Sequence, residues 1–456
     1  MTAPAARPRP ARRALDDLSL TVDEEALEAL AASSPEWLAA DRRDAYARWA
    51  SLPAESNLLY TPYIDLRGAA LQGARLVGPS EVSGSRGPVP TLLDDADALI
   101  EVIEGRLAGV ALSEAAIDSG VRLRGLTDDL EDVREALVRE HALPLTDKFA
   151  QLTRAAWSQG VALDVPPGVR LPKPIVIRWA LGAPDRALVT RTVVRLGEGA
   201  VASIVEELVP SPDPRDDEPA QAYFAGTMEV TVGDGASLQV ASLQELPANV
   251  VAVQHRTANI GEGSTLQWAL AQTGGRLVRS RVENRLVGDR SSVRQVEIVF
   301  GAADQLFDLT SYTTHIGRDT TGDLLSKGAL LERSRTYMKG LIVIEKSAHG
   351  TDSFLGEFGM NLSKDARSVA IPSLEIDQPD CRRAMHSSSV GPVDETQLFY
   401  LESRGIPPDE ARKFIVLGFL EPVVARVPLA SAQDRLRELL EEKWIAGSGD
   451  VSRAAA

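Results

Sequence analysis

The feature that most constrains this chain is a short glycine motif that recurs at nearly constant spacing. Four copies share an apolar–Gly–acid–x–small pattern, namely LGEGA, VGDGA, IGEGS and VGDRS, and IGRDT is a weaker fifth copy. The spacings between the repeated glycines are 36, 28, 27 and 29 residues, at Gly197, Gly233, Gly261, Gly288 and Gly317. The longest spacing contains VPSPDPRDDEPA at 209–220, an inserted loop whose 36 − 28 = 8 extra residues account for the difference.

A period near 28 residues with a glycine turn and alternating apolar residues is typical of a β-solenoid. Segments such as 237–246, 265–272 and 293–300 alternate, so one face of each strand fills the interior. We expect two strands per coil, and we assign to the repeated glycine the positive φ that a tight corner requires. A β-sandwich is the alternative, although its turns recur about every 8–12 residues.

The rest of the chain is predicted to be mainly helical. We expect helices within 20–50, at 92–104 and at 128–141, where Asp128 and Glu131 suit a capping box. Pro422 should end the second C-terminal helix, and Ser431 should cap the third. The resulting organisation is a disordered tail (1–15), a mainly helical N-terminal region (16–150), the β-helix core (151–390), a C-terminal helical region (391–446) and a frayed tail (447–456).

Composition excludes several classes of function. The net charge is −16 over 456 residues, which argues against general nucleic-acid binding. No apolar run of about 18 residues is present, so we expect no membrane span. The N-terminus lacks the apolar core of a secretory signal, so we expect the cytoplasm.

Few residues suggest chemistry. A single cysteine excludes an internal disulfide framework and a self-contained iron–sulfur site, since a cluster needs about four ligands. The five histidines form no local metal motif, and neither a phosphate-binding loop nor a hydrolase nucleophile motif occurs. Cys381 and His386 are the exception, because thiolate and imidazole suit iron. Their spacing of five places them on opposite faces of an uninterrupted strand, so a buried thiol acting as apolar filler is an equal alternative.

Four blocks of sequence resemble the SufB/SufD family of iron–sulfur cluster assembly proteins. MHSSSVGPVDETQLFYLESRGIPPDEARKFIVLGFLEPVV (385–424) resembles the family's C-terminal signature, in which a His, small residues and a Gly precede an LFYL-x-SRGI helix. The blocks at 161–177, 315–330 and 349–376 are similar to three segments of its core, in the same order. The resemblance spans 161–424, and the N-terminal third is only loosely similar.

The resemblance implies a mainly β fold, with a right-handed parallel β-helix flanked by helical regions. It implies a scaffold subunit without catalytic activity of its own, which pairs with a SufB-like paralogue and binds a SufC-like ATPase. It also implies an iron–sulfur cluster shared at the paralogue interface and not bound by this chain alone, with His386 as a metal ligand and Cys381 as a possible second donor. The helices at 394–424 would dock the ATPase, with candidate contacts at Leu398, Phe399, Tyr400, Arg404, Arg412, Phe414 and Phe419.

Two positions favour the SufD branch of the family. SufB-like chains usually carry an acidic residue after this His and a cysteine within the core, whereas here Ser387 follows His386 and no cysteine precedes Cys381. SufD-like chains commonly have Cys two residues before the His, where this chain has Ala384. Two further hypotheses stay open at this point, namely a self-pairing homodimer of the same family and a β-helix enzyme acting on polysaccharide.

Overall fold

The structure is a computed structural model that describes residues 24–63, 66, 74–78, 94–138, 143–211, 220–427 and 429–454. Within the last helix, side chains are described up to residue 447. The predicted tail (1–15), His141 and most of the inserted loop at 209–220 lie outside the described residues.

Five of the described helices precede the core strands of the chain, and three follow them. They are α1 (Glu24–Ala32), α2 (Glu36–Ser51), α3 (Glu114–Asp118), α4 (Leu130–Val138), α5 (Lys148–Ala156), α6 (Glu395–Ser403), α7 (Pro408–Val424) and α8 (Ala430–Ala454). None of the helices in the described ranges is both long and apolar enough to cross a membrane.

Twenty strands are described. The first four are β1 (Arg75–Leu76), β2 (Ala98–Ile103), β3 (Arg106–Leu112) and β4 (Arg122–Gly125). The core strands are β5 (Gln159–Val165), β6 (Ile175–Leu181), β7 (Arg186–Leu196), β8 (Val201–Pro210), β9 (Ala222–Val232), β10 (Ser237–Gln244), β11 (Val250–Ile260), β12 (Thr265–Gln272), β13 (Leu277–Leu286), β14 (Ser292–Gly301), β15 (Leu306–His315), β16 (Thr321–Leu330), β17 (Arg335–Ile344), β18 (Asp352–Asn361), β19 (Arg367–Ile376) and β20 (Arg383–Pro392).

The core strands wind as a parallel β-solenoid of eight coils, with two strands in each coil. Odd-numbered strands from β5 to β19 stack in sheet A, and even-numbered strands from β6 to β20 stack in sheet B. Neighbouring coils pair in parallel, as in the continuous match of Leu277 to Leu306 and of Leu286 to His315. The predicted solenoid is confirmed and the sandwich is excluded, while the right-handed winding stays a prediction.

The repeated glycines serve a different purpose from the one predicted. The positive φ belongs to the second glycine of the motif, with φ of 66°, 65° and 62° at Gly199, Gly235 and Gly263. The first glycine is needed because consecutive coils approach closely at the corner. A Cβ added to Gly233 would lie 2.8 Å from the Leu196 carbonyl oxygen, and one added to Gly288 would overlap the backbone of the coil below.

Helices cover the outer faces of both sheets. The N-terminal region packs α1, α2, α4 and α5 on sheet A, around residues such as Val189, Tyr223 and Val251. The C-terminal helices α7 and α8 pack on sheet B, where Val416 and Leu436 are completely buried. At the start of the solenoid β4 pairs with β5 and β2 pairs with β6, whereas β19 and β20 at the other end have no further strand beside them among the described residues.

A buried ion network also attaches the N-terminal region to sheet A. The Arg279 guanidinium donates to Glu55 at 3.1 Å and to Asp308 at 3.2 Å, and all three side chains are buried. Nearby, the Tyr60 hydroxyl donates to the Gly340 carbonyl oxygen at 2.8 Å. These contacts fix the segment after α2 against the middle of the solenoid.

Several local predictions are wrong. The expected helix at 92–104 is instead the strand β2, which pairs with β3 and β6 because Ala98, Ile100 and Val102 all face the core. Pro422 does not end α7, which continues to Val424, and α8 begins at Ala430, one residue before the predicted cap. The backbone of α8 stays helical to Ala454, through most of the tail expected to fray.

Candidate functional site

One end of the solenoid is left uncovered in the part of the chain that the structure describes. Strands β19 and β20 form the last coil, and each pairs on one side only, with β17 and β18. We call the outward side of β19 and β20 the open end. Most residues of the two strands are exposed or half-buried, whereas the strands of earlier coils are largely buried. The open end therefore presents unpaired backbone groups together with side chains that point into the coil.

His386 lies on β20 at the open end. It pairs in register with Leu355 of β18, which is only 1% exposed and belongs to the small apolar cluster inside the last coils. Paired residues of parallel strands lie on the same face, so His386 points inward. It is nevertheless exposed, because no further coil covers it. Its imidazole is therefore available to a group that approaches the end of the solenoid.

Cys381 lies in the turn that leads into β20 and is half-buried. It packs against the apolar cluster that contains Leu355, the register partner of His386, so the two candidate ligands border one patch. This packing is compatible with the filler role as well as with a ligand role. Among the described residues, no group of three or more His, Cys, Asp or Glu side chains could hold a metal ion.

A second histidine near the open end was not singled out from the sequence. The Nδ1 atom of His349 lies 3.4 Å from a carboxylate oxygen of Asp380, and its Nε2 atom lies 3.1 Å from the amide nitrogen of Gln378. These residues occupy the turns on either side of β18 and β19, directly beside Cys381. The signal was available, because His349 opens one of the blocks that resemble the family.

The helices after the last coil carry an exposed aromatic surface. Asp394 caps α6 by accepting from the Thr396 backbone N–H at 2.8 Å, and Gly405, with φ of 86°, ends the turn that follows. Exposed aromatic side chains on folded helices are uncommon and often mark a binding surface. The three on α6 and α7 are Phe399 (71% exposed), Tyr400 (56%) and Phe414 (56%).

The other predicted docking residues differ in their surroundings. Arg404 is exposed and stacks over the Tyr400 ring at 5.2 Å, whereas Leu398 and Arg412 are half-buried. Phe419 turns toward the solenoid, with the Lys327 ammonium 4.5 Å from its ring centre, and its carbonyl oxygen accepts from Lys327 at 2.6 Å. Phe419 therefore helps to hold α7 on sheet B, and the outward surface consists mainly of Phe399, Tyr400 and Phe414.

The interior of the solenoid contains carboxyl groups that the sequence reasoning missed. Glu206 accepts from Arg256 at 2.6 Å and from Ser242 at 2.6 Å, which forms a closed buried pair. Glu297 and Glu357 are each 1% exposed, and no arginine or lysine in the described ranges donates a hydrogen bond to either. Burial raises the pKa of Glu297 to about 7 and that of Glu357 to about 8.

Comparisons with known proteins identify the class to which this architecture belongs. The family model for the SufBD core domain of the SUF system of FeS cluster assembly matches residues 179–419, which is 241 of the 456 residues. The match runs from β6 to α7 and includes both candidate surfaces. The chain therefore belongs to the SufBD family of iron–sulfur cluster assembly proteins, and the resemblance inferred from the sequence is confirmed.

Curated relatives agree with this assignment. The iron–sulfur cluster assembly protein SufD of Bacillus subtilis (strain 168) is 28% identical over 341 residues, which cover 74% of this chain and 77% of the relative. A SufBD family protein of Mycobacterium tuberculosis is 30% identical over 55% of this chain, and one of Staphylococcus epidermidis is 26% identical over 68%. The matched region spans 66% of the length of each of these last two relatives.

Proposed function

We propose that this chain is a SufD-like scaffold subunit of an iron–sulfur cluster assembly complex. In this proposal it pairs with a SufB-like paralogue at the open end, binds a SufC-like ATPase through α6 and α7, and contributes His386 to a cluster shared with the paralogue. The observation that carries the proposal is the open end, because it leaves two strand edges and an inward-pointing imidazole uncovered at one place.

The chemistry of the open end supports pairing with a similar subunit. Unpaired strand edges are templates for a further strand, and natural proteins usually cover or charge them. This end also exposes three apolar side chains, Ile376 (45%), Met385 (52%) and Val390 (40%). A partner that adds a strand and covers these side chains matches both features, and the end of another solenoid of the same family has the required shape.

A shared cluster is consistent with the ligands available. An iron–sulfur cluster needs about four thiolate or imidazole donors, and this chain has a single cysteine. The imidazole of His386 can supply one donor. Cys381, which packs against the cluster that contains the register partner of His386, is a second candidate. The remaining donors would come from the paralogue, and the cluster would be cargo of the assembly.

Docking of an ATPase is supported by the outward aromatic residues of α6 and α7. The sequence contains no phosphate-binding loop of the GxxxxGK[ST] type, so ATP-driven change has to originate in a partner. Exposed Phe and Tyr side chains beside an arginine are typical of the energetic centre of an interface. Phe399, Tyr400 and Arg404 form such a group.

Copurification tests the docking surface. The chain is co-expressed with a SufB-like and a SufC-like protein, and Phe399→Asp with Phe414→Asp should abolish recovery of the ATPase while the paralogue is retained. Ile117→Asp is the matched control, because Ile117 is 60% exposed on a different part of the surface and its replacement should change nothing. Unchanged recovery of the ATPase with the double variant would exclude docking through these helices.

Reconstitution tests the shared cluster. The purified assembly is loaded anaerobically with iron and sulfide, and the iron content is counted. His386→Ala should assemble normally and hold less cluster, whereas Ser387→Ala, which alters the opposite face of the same strand, should load fully. Full loading of the His386 variant would remove this residue from the ligands.

Native mass spectrometry separates the paralogue from a homodimer. The chain is measured alone and after mixing with the SufB-like protein. We expect a heterodimer in the mixture, and a homodimer that persists in excess paralogue would favour the self-pairing alternative.

A further inference from the structure

Two buried carboxyl groups and two hydroxyl groups form a single column inside sheet B. Glu297 of β14 pairs in register with Ser326 of β16, Ser326 pairs with Glu357 of β18, and Glu357 pairs with Ser388 of β20. All four side chains point inward, because each shares the parity of the interior residues of its strand. Glu297, Ser326 and Glu357 are buried, and Ser388 is exposed at the open end. The column therefore connects the interior of the solenoid to its uncovered end.

The inner part of the same column shows what a Glu–Ser pair on neighbouring coils does in this fold. Glu206 of β8 pairs in register with Ser242 of β10, and the Ser242 hydroxyl donates to the Glu206 carboxylate at 2.6 Å. Arg256 donates to the same carboxylate and so provides its counter-charge. Leu270 of β12 follows Ser242 in the column and precedes Glu297, which separates this ionised pair from the outer carboxyls.

The outer carboxyl groups lack such a counter-charge. Neither oxygen of Glu297 has a hydrogen-bond partner of normal geometry among the described residues, although Ser280 and Gln272 lie near it and Arg256 acts on it from a distance. A buried carboxyl group without a cation favours its neutral, protonated form. The charge of Glu206 is neutralised by the Arg256 guanidinium, whereas that of Glu297 is neutralised by a bound proton.

Glu357 is held in a fitted position nearer the open end. One of its oxygens accepts from the Ile371 backbone N–H at 2.9 Å. Its other oxygen occupies space left by Gly340, since a Cβ on that residue would lie 2.8 Å away. The charged and titratable groups that affect it are Glu297, which raises its pKa, and Tyr60, whose own pKa it raises from the other side of sheet A. No lysine or arginine donates a hydrogen bond to Glu357 in the described part of the chain.

We propose that Glu297 and Glu357 are a proton-binding pair that exchanges protons with the open end through the hydroxyl groups of Ser326 and Ser388. Neighbouring coils are about 4.8 Å apart, a separation that the Glu206–Ser242 pair already spans with a direct hydrogen bond. In the described structure Glu297 has no hydrogen bond to Ser326, so the serine side chain has to rotate toward it before a proton can pass. When Glu357 gives its proton to Ser388, that hydroxyl passes its own proton to solvent water at the open end. Ser326 then gives its proton to Glu357 and takes one from Glu297, so that one proton has left and Glu297 remains as the carboxylate.

The use of this pair rests on the proposed function, whereas the proton binding does not. Thiol ligands release protons when they bind metal, so cluster assembly changes the proton balance at the site where it occurs. His386 is two residues from Ser388 on the same strand and the same face. A proton-binding pair whose groups titrate near neutral pH would take up or supply protons at this end of the solenoid.

Infrared spectroscopy of the full-length chain tests the pair directly. A protonated carboxyl group gives a carbonyl band that an ionised one lacks. We expect this band at pH 6, with loss between pH 7 and pH 9. Glu297→Gln and Glu357→Gln should each remove one contribution, whereas Glu206→Gln, which alters an interior carboxylate paired with arginine, should leave the band unchanged. Absence of the band in the wild-type chain at pH 6 would overturn the proposal whether or not the variants fold.

Deuterium exchange tests the connection to the open end. After transfer to D₂O, exchange of the carboxyl proton for deuterium shifts the carbonyl band. In the wild-type chain this shift should be complete within the mixing time. In Ser326→Ala, the part of the band that belongs to Glu297 should shift at least tenfold more slowly. A band that shifts as slowly as the core amides in the wild-type chain would show an isolated pair and overturn the relay. These measurements use the chain without partners, so they remain informative if copurification or cluster loading fails.

Discussion

Replacement of Glu297 with glutamine should make the stability of the chain less dependent on pH. Glutamine keeps the size of the side chain but cannot ionise. Burial raises the pKa of Glu297 from 4.5 to about 7, and 7 − 4.5 = 2.5, which at 1.36 kcal/mol per pKa unit corresponds to about 3 kcal/mol. Because the folded-state pKa is raised, this contribution is complete below pH 4.5 and is lost as the pH rises through 7.

Urea unfolding of the wild-type chain and Glu297→Gln at pH 5 and pH 8 measures this effect. The variant should gain about 2–3 kcal/mol relative to wild type between the two pH values, since most of the titration falls in that interval. Comparison of the two proteins cancels contributions from titratable groups that Glu297 does not influence. An equal difference in the free energy of unfolding at both pH values would show that the Glu297 carboxyl ionises without penalty, and the reasoning from burial would be wrong.

Glu206→Gln is the matched control for this measurement. It removes the carboxylate that Arg256 faces and leaves a buried guanidinium without its counter-charge. We expect a loss of about 3–5 kcal/mol at both pH values. The two glutamates lie in one register column, so opposite behaviour would show that the neighbouring cation decides the protonation state, and not the position in the solenoid.

Three further predictions concern the stacking of the coils and other buried groups. Gly288→Ala should lower the free energy of unfolding, measured by thermal unfolding, by at least about 3 kcal/mol, because the added Cβ would overlap the coil below. Gly418→Ala in α7, where the space is open, should instead raise it by about 1 kcal/mol. Equal effects of the two substitutions would contradict the argument from packing. Burial lowers the pKa of His315 to about 4, so its contribution to stability is present above pH 6.5 and is lost as the pH falls toward 4. An NMR titration should therefore show no protonation of the His315 ring between pH 5.5 and 8. A titration midpoint near pH 6.5 would refute this prediction. Arg191→Met should lower the free energy of unfolding by about 3–5 kcal/mol, because it leaves the buried Glu229 carboxylate without its counter-charge. Adding Glu229→Met should recover most of this loss. A double variant as unstable as the single one would exclude loss of the ion pair as the cause.

The solenoid could be predicted from the sequence because the corner between its two sheets requires glycine, and that glycine recurs about every 28 residues. The motif needs one glycine for close approach of the coils and often a second for positive φ, and it recurs at the corner from sheet A to sheet B in five successive coils. The motif was recognisable in the sequence, but the role predicted for its first glycine was wrong. Close approach depends on the neighbouring coil, which cannot be seen in a local pattern, whereas a positive φ is a property of one residue.

Where the local pattern and the tertiary environment conflict, the prediction failed. The segment 92–104 contains apolar residues at spacings that suit a helix, yet β2 lies between β3 and β6 with four of its six residues buried, which favours a nearly continuous apolar strand. Pro422 is tolerated in the last turn of α7, where few hydrogen bonds remain to be lost. These outcomes depend on neighbours that lie far away in the sequence.

The candidate site was only partly accessible from the sequence. His386 and the aromatic residues of α6 and α7 were found through the family resemblance, and their exposure is a property of the fold. Glu297 was overlooked, although it has the same parity as Val293 and Val299 in a strand assigned an inward face. Parity gave the direction of that side chain, but the absence of a cation beside it follows only from the stacking of the coils.

The route of the C-terminal helices has a mechanical consequence. They follow the last coil in sequence, yet they are anchored well behind it, through Lys327 on β16 and through the ion pair of Arg435 with Glu245 beside β10. The terminal coil can therefore be reshaped by whatever covers it without releasing the helices from the rod. Since α7 and α8 are held by the middle of the solenoid, a partner bound at the open end and a partner bound on α7 would contact separate parts of the chain.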